Sequence, residues 1–140
     1  MKKYIDELKY YKKLATSPMN PTYDEILKAN SLRGNEIKKT PLIHSSTFSD
    51  LTNSEIYLKA EFRQKTGSFK IRGAYYKIKL LSEEEKKHGV VAASAGNHAQ
   101  GVALASSLEN ISCTIVMPKN ASPAKVAATR GYGANVILEG

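Results

Sequence analysis

Apolar positions change period along this chain. Ile5, Leu8, Tyr11 and Ala15 recur at helical spacing with lysines interleaved on the other face, which predicts an amphipathic helix. Ser17-Pro18-Met19-Asn20-Pro21 breaks it, and residues 18–21 read as a linker. Thr22 and Glu25 have capping-box spacing and open a second short helix through Ala29. Pro41 favours extended backbone at Thr40, and a short polar helix follows at residues 46–51. Residues 55–61 alternate with period 2, the pattern of a half-buried strand.

A helix over residues 68–81 puts Lys70 near its start, and Ser82 caps a short one that opens with Glu83-Glu84-Glu85. The pattern then becomes regular: strand 90–93, helix 97–107, strand 113–117, helix 123–130, strand 134–138. Strands joined by helices of this length predict an α/β fold, a βαβαβ unit with a parallel sheet and right-handed crossovers. The alanine-rich helix around residues 99–105 would pack closely on that sheet.

A chain of 140 residues that is 41% hydrophobic can bury one ordinary core. The single cysteine, Cys113, cannot form an internal disulfide and falls in an apolar strand, which predicts a buried thiol in a reducing cytoplasm. No apolar run approaches the roughly 20 residues that cross a bilayer, and Met1-Lys2-Lys3-Tyr4 leads into acids and lysines rather than a secretory core. The expectation is a cytoplasmic protein with no membrane partner.

A net charge of +8 raises the question of nucleic acid. Five lysines (Lys2, Lys3, Lys9, Lys12, Lys13) fall at the start, and a second cluster spans residues 59–79. Zinc-ligand spacing, an aromatic-glycine RNA-binding signature and a helix-turn-helix pattern are all missing, so neither a nucleic-acid partner nor a metal site is expected. The second cluster suits small anions instead.

Two polar-glycine segments carry candidate chemistry. Ser68-Phe69-Lys70-Ile71-Arg72-Gly73-Ala74 sets a lysine beside an aromatic ring and a second cation. Partial burial there would depress the amine pKa toward the free base that imine formation requires. Ser94-Ala95-Gly96-Asn97-His98-Ala99-Gln100-Gly101 is a strand-to-helix turn whose backbone N–H groups suit a carboxylate or phosphate. Each also has an ordinary reading. Lys70 would be a solvated surface group, and the turn a helix start capped by Ser94 or Asn97 with Gly96 permitting the bend.

Taken together, KTGSFKIRGA (residues 65–74) and SAGNHAQGVA (residues 94–103) closely resemble the fold-type II pyridoxal phosphate enzymes, and within them the threonine dehydratases. Lys39-Thr40-Pro41-Leu42, Tyr57-Leu58-Lys59-Ala60-Glu61 leading to Gln64, and Ile115-Val116-Met117-Pro118 with Lys125-Val126 extend the likeness over residues 23–140. Val116-Met117-Pro118-Lys119 leans toward the catabolic type. Residues 1–21 do not resemble the usual family start. Glu61-Phe62-Arg63-Gln64 stands where the family commonly has Glu-Asn-Leu-Gln, so a charge occupies a usually apolar position. The family's glycine-rich phosphate cup, and its polar residue facing the pyridine nitrogen, lie downstream of these residues.

The resemblance implies an incomplete α/β fold of parallel, three-layer βαβ units, the tryptophan synthase β-like architecture. Residues 1–21 would be a helical extension and linker, 22–75 the opening part of the large domain, and 76–140 the small domain with the carboxylate loop. Apolar surface would be left uncovered. The implied cofactor is pyridoxal 5'-phosphate, held as an imine by Lys70. Lys70 would also remove the Cα proton of L-threonine on the way to 2-oxobutanoate and ammonia, or of L-serine toward pyruvate.

By the same resemblance Phe69 packs on the cofactor ring and Asn97 hydrogen-bonds its 3-oxygen. Ser94, Ala95, Gly96, Asn97 and His98 form the carboxylate loop, with His98 capping or packing rather than exchanging protons. Arg72 either orients the lysine or pairs with Glu61, and His44 and His88 have no chemical role. The implied partners are an amino-acid substrate, further copies of the chain in a homo-oligomer, and a complementing C-terminal segment. Other readings fit the same residues: a serine racemase or hydroxyaspartate dehydratase relative, a non-catalytic remnant, or an interaction module that docks on an intact relative through a sheet edge or the basic first helix.

Overall fold

The computed structural model describes residues 21–140; the amphipathic helix expected before residue 17 lies outside the described residues. The chain divides into two compact units between Ser31 and Leu32. Helix α1 (Tyr23–Leu32), whose last residue is the first of the second unit, starts from a reciprocal cap. The Thr22 N–H donates to Glu25 Oε2 at 2.7 Å, and the Glu25 N–H donates to Thr22 Oγ1 at 3.3 Å.

The second unit opens with an antiparallel ribbon. Strand β1 (Leu42–His44) pairs with β2 (Tyr57–Lys59), Ile43 opposite Leu58, around helix α2 (Ser46–Thr52). β2 is shorter than the seven-residue alternation predicts and exposed at all three positions, where a half-buried strand was expected. Two strands alone offer no layer against which one face can hide. Leu42, Phe48, Leu51 and Leu58 stay exposed, as expected of an incomplete domain. A 3₁₀ turn (Glu61–Arg63) follows, with Arg63 exposed, so its charge at a usually apolar position faces water.

Helix α3 (Lys70–Lys79) buries Ile71, Ala74, Tyr75 and Ile78, the i, i+3, i+4, i+7 stripe of an amphipathic helix. Helix α4 (Glu83–His88) has the Ser82–Glu85 capping box anticipated from sequence. It ends at Gly89 with φ +76°, where an added Cβ would stand 2.8 Å from the Ser112 carbonyl oxygen. Strands β3 (Val90–Ala93), β4 (Cys113–Met117) and β5 (Asn135–Leu138) form a parallel sheet in that order, crossed by helices α5 (Asn97–Leu108) and α6 (Pro123–Gly131).

In register, Ala92, Ile115 and Val136 share the covered face, while Val91 and Ile137 on the other remain exposed. α5 lies between α3 and the sheet, which explains its composition: Ala99, Gly101, Ala103, Ala105 and Ser106 are all buried, and only small side chains allow approach on several sides. One core joins Ile37, α3, α5, β4, Val126 and Val136. Complete burial of Ile71 and Ile115 contributes about 1.5–3 kcal/mol each. α3 runs across residues 75 and 76 and packs on α5 within this core.

Candidate active site

Lys70 is the first helical residue of α3, with Phe69 in the cap position and no side-chain cap on the helix. The buried stripe of α3 begins at Ile71, which leaves Phe69 and Lys70 on the open side. Phe69 is 57% exposed, and the Lys70 ammonium lies 5.0 Å from its ring centroid. The partial burial expected of Lys70 is therefore not found: the side chain is exposed, without a carboxylate partner among the described residues. The nearby hydroxyl of Ser68 is buried and makes no hydrogen bond.

Arg72 pairs with Glu61, which decides between the two roles the sequence allowed. Its Nε and Nη2 donate to Glu61 Oε2 and Oε1, each at 2.8 Å, and Nη2 also reaches the Lys38 carbonyl oxygen and Thr40 Oγ1. The Thr40 hydroxyl donates to the same carboxylate, and Lys59 Nζ to the Thr40 carbonyl. Arg72 above all, then Thr40, holds the Glu61 carboxyl below the usual range against the cost of desolvation. Buried Gln64 adds a second fastening: its amide accepts from the Lys38 N–H and donates to the Lys38 carbonyl, both at 3.0 Å. These bonds anchor the segment that leads into Lys70. The matched wording around Glu61 and Gln64 was a signal for them, but not for which partner each would take.

The Ser94–Gly96 turn leaves β3 where the Ser94 N–H donates to the Val116 carbonyl of β4 at 3.1 Å. Ser94 Oγ accepts from the Gly96 N–H at 3.3 Å, and no side chain caps α5. The ordinary reading of a helix start capped by Ser94 or Asn97 is thus not what forms. The first N–H groups of α5 remain available, at the positive end of the helix dipole. Gly96 is the N-cap residue, with φ −143° and ψ −140°. Asn97 is exposed, Ser94 and Ala95 are half-buried, and His98 lines a mainly apolar cavity of about 300 Å³ with Ala74, Lys77, Ile78 and Val102.

Gly101 brings the two segments together. A Cβ there would stand 3.1 Å from the Ile71 nitrogen and 3.1 Å from the Lys70 carbonyl carbon, so α5 and the start of α3 touch backbone to backbone. Asn97 lies one turn earlier, about 6 Å along the helix axis. Sequence reasoning assigned Gly101 no role, although a lone glycine inside an alanine-rich helix is the usual mark of such an approach.

A family model described as pyridoxal-phosphate dependent enzyme matches residues 34–139. An L-threonine ammonia-lyase of Thermotoga maritima is 59% identical over 119 residues, covering 85% of this chain and 30% of that protein. A catabolic L-threonine dehydratase of Escherichia coli is 50% identical over 117 residues, covering 84% and 36%. Among solved structures, the serine racemase of Dictyostelium discoideum superposes with a TM-score of 0.79 at 43% identity, covering 84% of this chain and 38% of that one. The processed form of threonine deaminase isoform 2 from Solanum lycopersicum gives 0.74 at 38% identity, covering 89% and 36%. The chain spans about a third of the length of these relatives. With the family model covering most of its length, and with the same α/β parallel-sheet fold as these structures, the chain belongs to the pyridoxal-phosphate dependent enzymes of fold type II.

Proposed function

We propose that this chain carries the lysine and carboxylate-binding portion of a pyridoxal-phosphate-dependent threonine dehydratase, which converts L-threonine to 2-oxobutanoate and ammonia and L-serine to pyruvate. The observation that carries the reading is the backbone contact at Gly101, which joins the Lys70 segment to the Ser94–Asn97 turn. The names and identities of the L-threonine ammonia-lyase and L-threonine dehydratase relatives support the substrate class. The residues present fit the cofactor: a lysine with no carboxylate partner among the described residues, an unsatisfied buried hydroxyl at Ser68, and an uncapped helix start.

Bound pyridoxal phosphate supplies an aldehyde that captures an amino group and a ring that accepts the electron pair released at Cα. Lys70 Nζ is the group that would hold that aldehyde, and its free amine would take the Cα proton of the bound amino acid. Phe69 would lie beside the lysine on its open side, and the Asn97 amide would hydrogen-bond the cofactor ring. The amides that open α5 and the Ser94 hydroxyl hold the substrate carboxylate, which fixes Cα in front of Lys70. His98 packs against α3 and moves no proton.

Oligomerisation and a complementing segment belong to the same proposal. The test is 2-oxobutanoate formation from L-threonine by the purified chain with pyridoxal phosphate, alone and mixed with the remaining two-thirds of a related dehydratase. Activity abolished by Lys70→Ala supports the reading. D-serine from L-serine without keto acid would support a racemase, a likeness shared with the solved serine racemases.

A further inference from the structure

The reading of the Ser94–Asn97 turn as a carboxylate site uses only backbone amides and one hydroxyl, and on that reading rests a further assignment. Lys125 stands in the first turn of α6, its N–H bonded to the Ser122 carbonyl at 3.0 Å. α6 follows β4, and the Ser94 N–H bonds β4 at Val116, so the β3–α5 and β4–α6 connections are neighbours at the carboxyl ends of adjacent parallel strands. Ligands of open α/β sheets gather at such strand ends. The Lys125 ammonium reaches across the gap: a Cβ added to Gly96 would lie 3.9 Å from Nζ. Lys65, Arg72, Lys79, Lys86 and Lys87 each pair with a glutamate, whereas Lys125 is exposed and has no acidic partner among the described residues.

We propose that Lys125 is a substrate-binding residue, its ammonium closing over the Gly96 turn to pair with the amino-acid carboxylate that the α5 amides receive. A Cβ at position 96 would stand in ordinary contact with the Lys125 ammonium, which makes the turn and the cation direct neighbours. A cation from α6 also separates substrates by charge. An amino acid with a free carboxylate gains the contact, and its carboxamide does not.

The test is an amide-resolved NMR titration of the full 140-residue chain, loaded with pyridoxal phosphate, with L-threonine and with L-threonine amide, following Ser94, Gly96 and Asn97. Lys125→Met should weaken L-threonine about tenfold and leave the amide unchanged, and Lys125→Arg should restore most of the difference. Equal affinities of Lys125→Met and the parent for L-threonine, with the turn still responding, would overturn the role of Lys125 alone. So would equal weakening of both ligands. A parent chain whose turn amides do not respond to L-threonine would overturn both this assignment and the carboxylate reading beneath it.

Discussion

Gly101 of α5 lies against the backbone of Lys70, close enough that a single added carbon would meet two main-chain atoms at 3.1 Å. This contact holds the two sequence motifs against each other, because backbone atoms, unlike the end of a long side chain, cannot swing away. Gly101→Ala must therefore move α3 relative to α5. The expected cost is about 1–3 kcal/mol, read as a lower urea midpoint with an unchanged slope. Labelling of Lys70 by the cofactor should fall with it. A variant as stable and as reactive as the parent would show that the two helices have room to spare.

The Arg72–Glu61 fork fastens the lysine segment to the ribbon. Glu61→Gln leaves the guanidinium part-buried with a weaker acceptor and should cost on the order of 1–2 kcal/mol at neutral pH. Because the folded carboxyl is held below its unfolded value, the clamp's contribution is complete above the ordinary carboxylate range. It is lost as pH falls through the lowered folded value. Urea midpoints of parent and variant should thus differ at pH 7 and converge well below about pH 4. A difference that persists unchanged in acid would exclude the ion pair as its source.

Gly89 ends α4 with positive φ and no room for a side chain. Gly89→Ala places a methyl group against the Ser112 carbonyl and a non-glycine residue in a left-handed region, for an expected loss of about 1–3 kcal/mol. The edge strand β3 begins at the next residue, so hydrogen exchange should quicken first at Val90 and Val91.

Ser68 points the other way. Its buried hydroxyl has no partner, so Ser68→Ala should leave the cofactor-free chain within about 0.5 kcal/mol of the parent or stabilise it. A clear loss of stability without cofactor would mean that the hydroxyl bonds within the fold.

Much of this arrangement was legible in the sequence where local rules decide. β3 and β4 have the bounds read from their apolar runs, and the Ser82 capping box forms as its spacing required. What escaped depends on distant chain. The alternation of residues 55–61 resembles a half-buried strand, but burial needs a covering layer that the ribbon does not have. Lys70 was expected partly buried because of its neighbours in sequence, whereas exposure is set by which face of α3 meets α5. The partner of Arg72 could not be chosen until the ribbon folded back to present Glu61 and Thr40. Gly101 was visible as a glycine, yet its contact lies 31 positions earlier in the chain, at Lys70.

The central claim is that one lysine among 21 lysines and arginines is set apart for imine chemistry. The direct measurement is incubation of the 140-residue chain with stoichiometric pyridoxal phosphate, borohydride reduction, and peptide mapping of the adduct by mass spectrometry. The account predicts one dominant adduct at Lys70, lost in Lys70→Ala and weakened in Asn97→Ala. Labels scattered among Lys59, Lys65, Lys77 and the other surface lysines, with Lys70 no more reactive than they are, would contradict it.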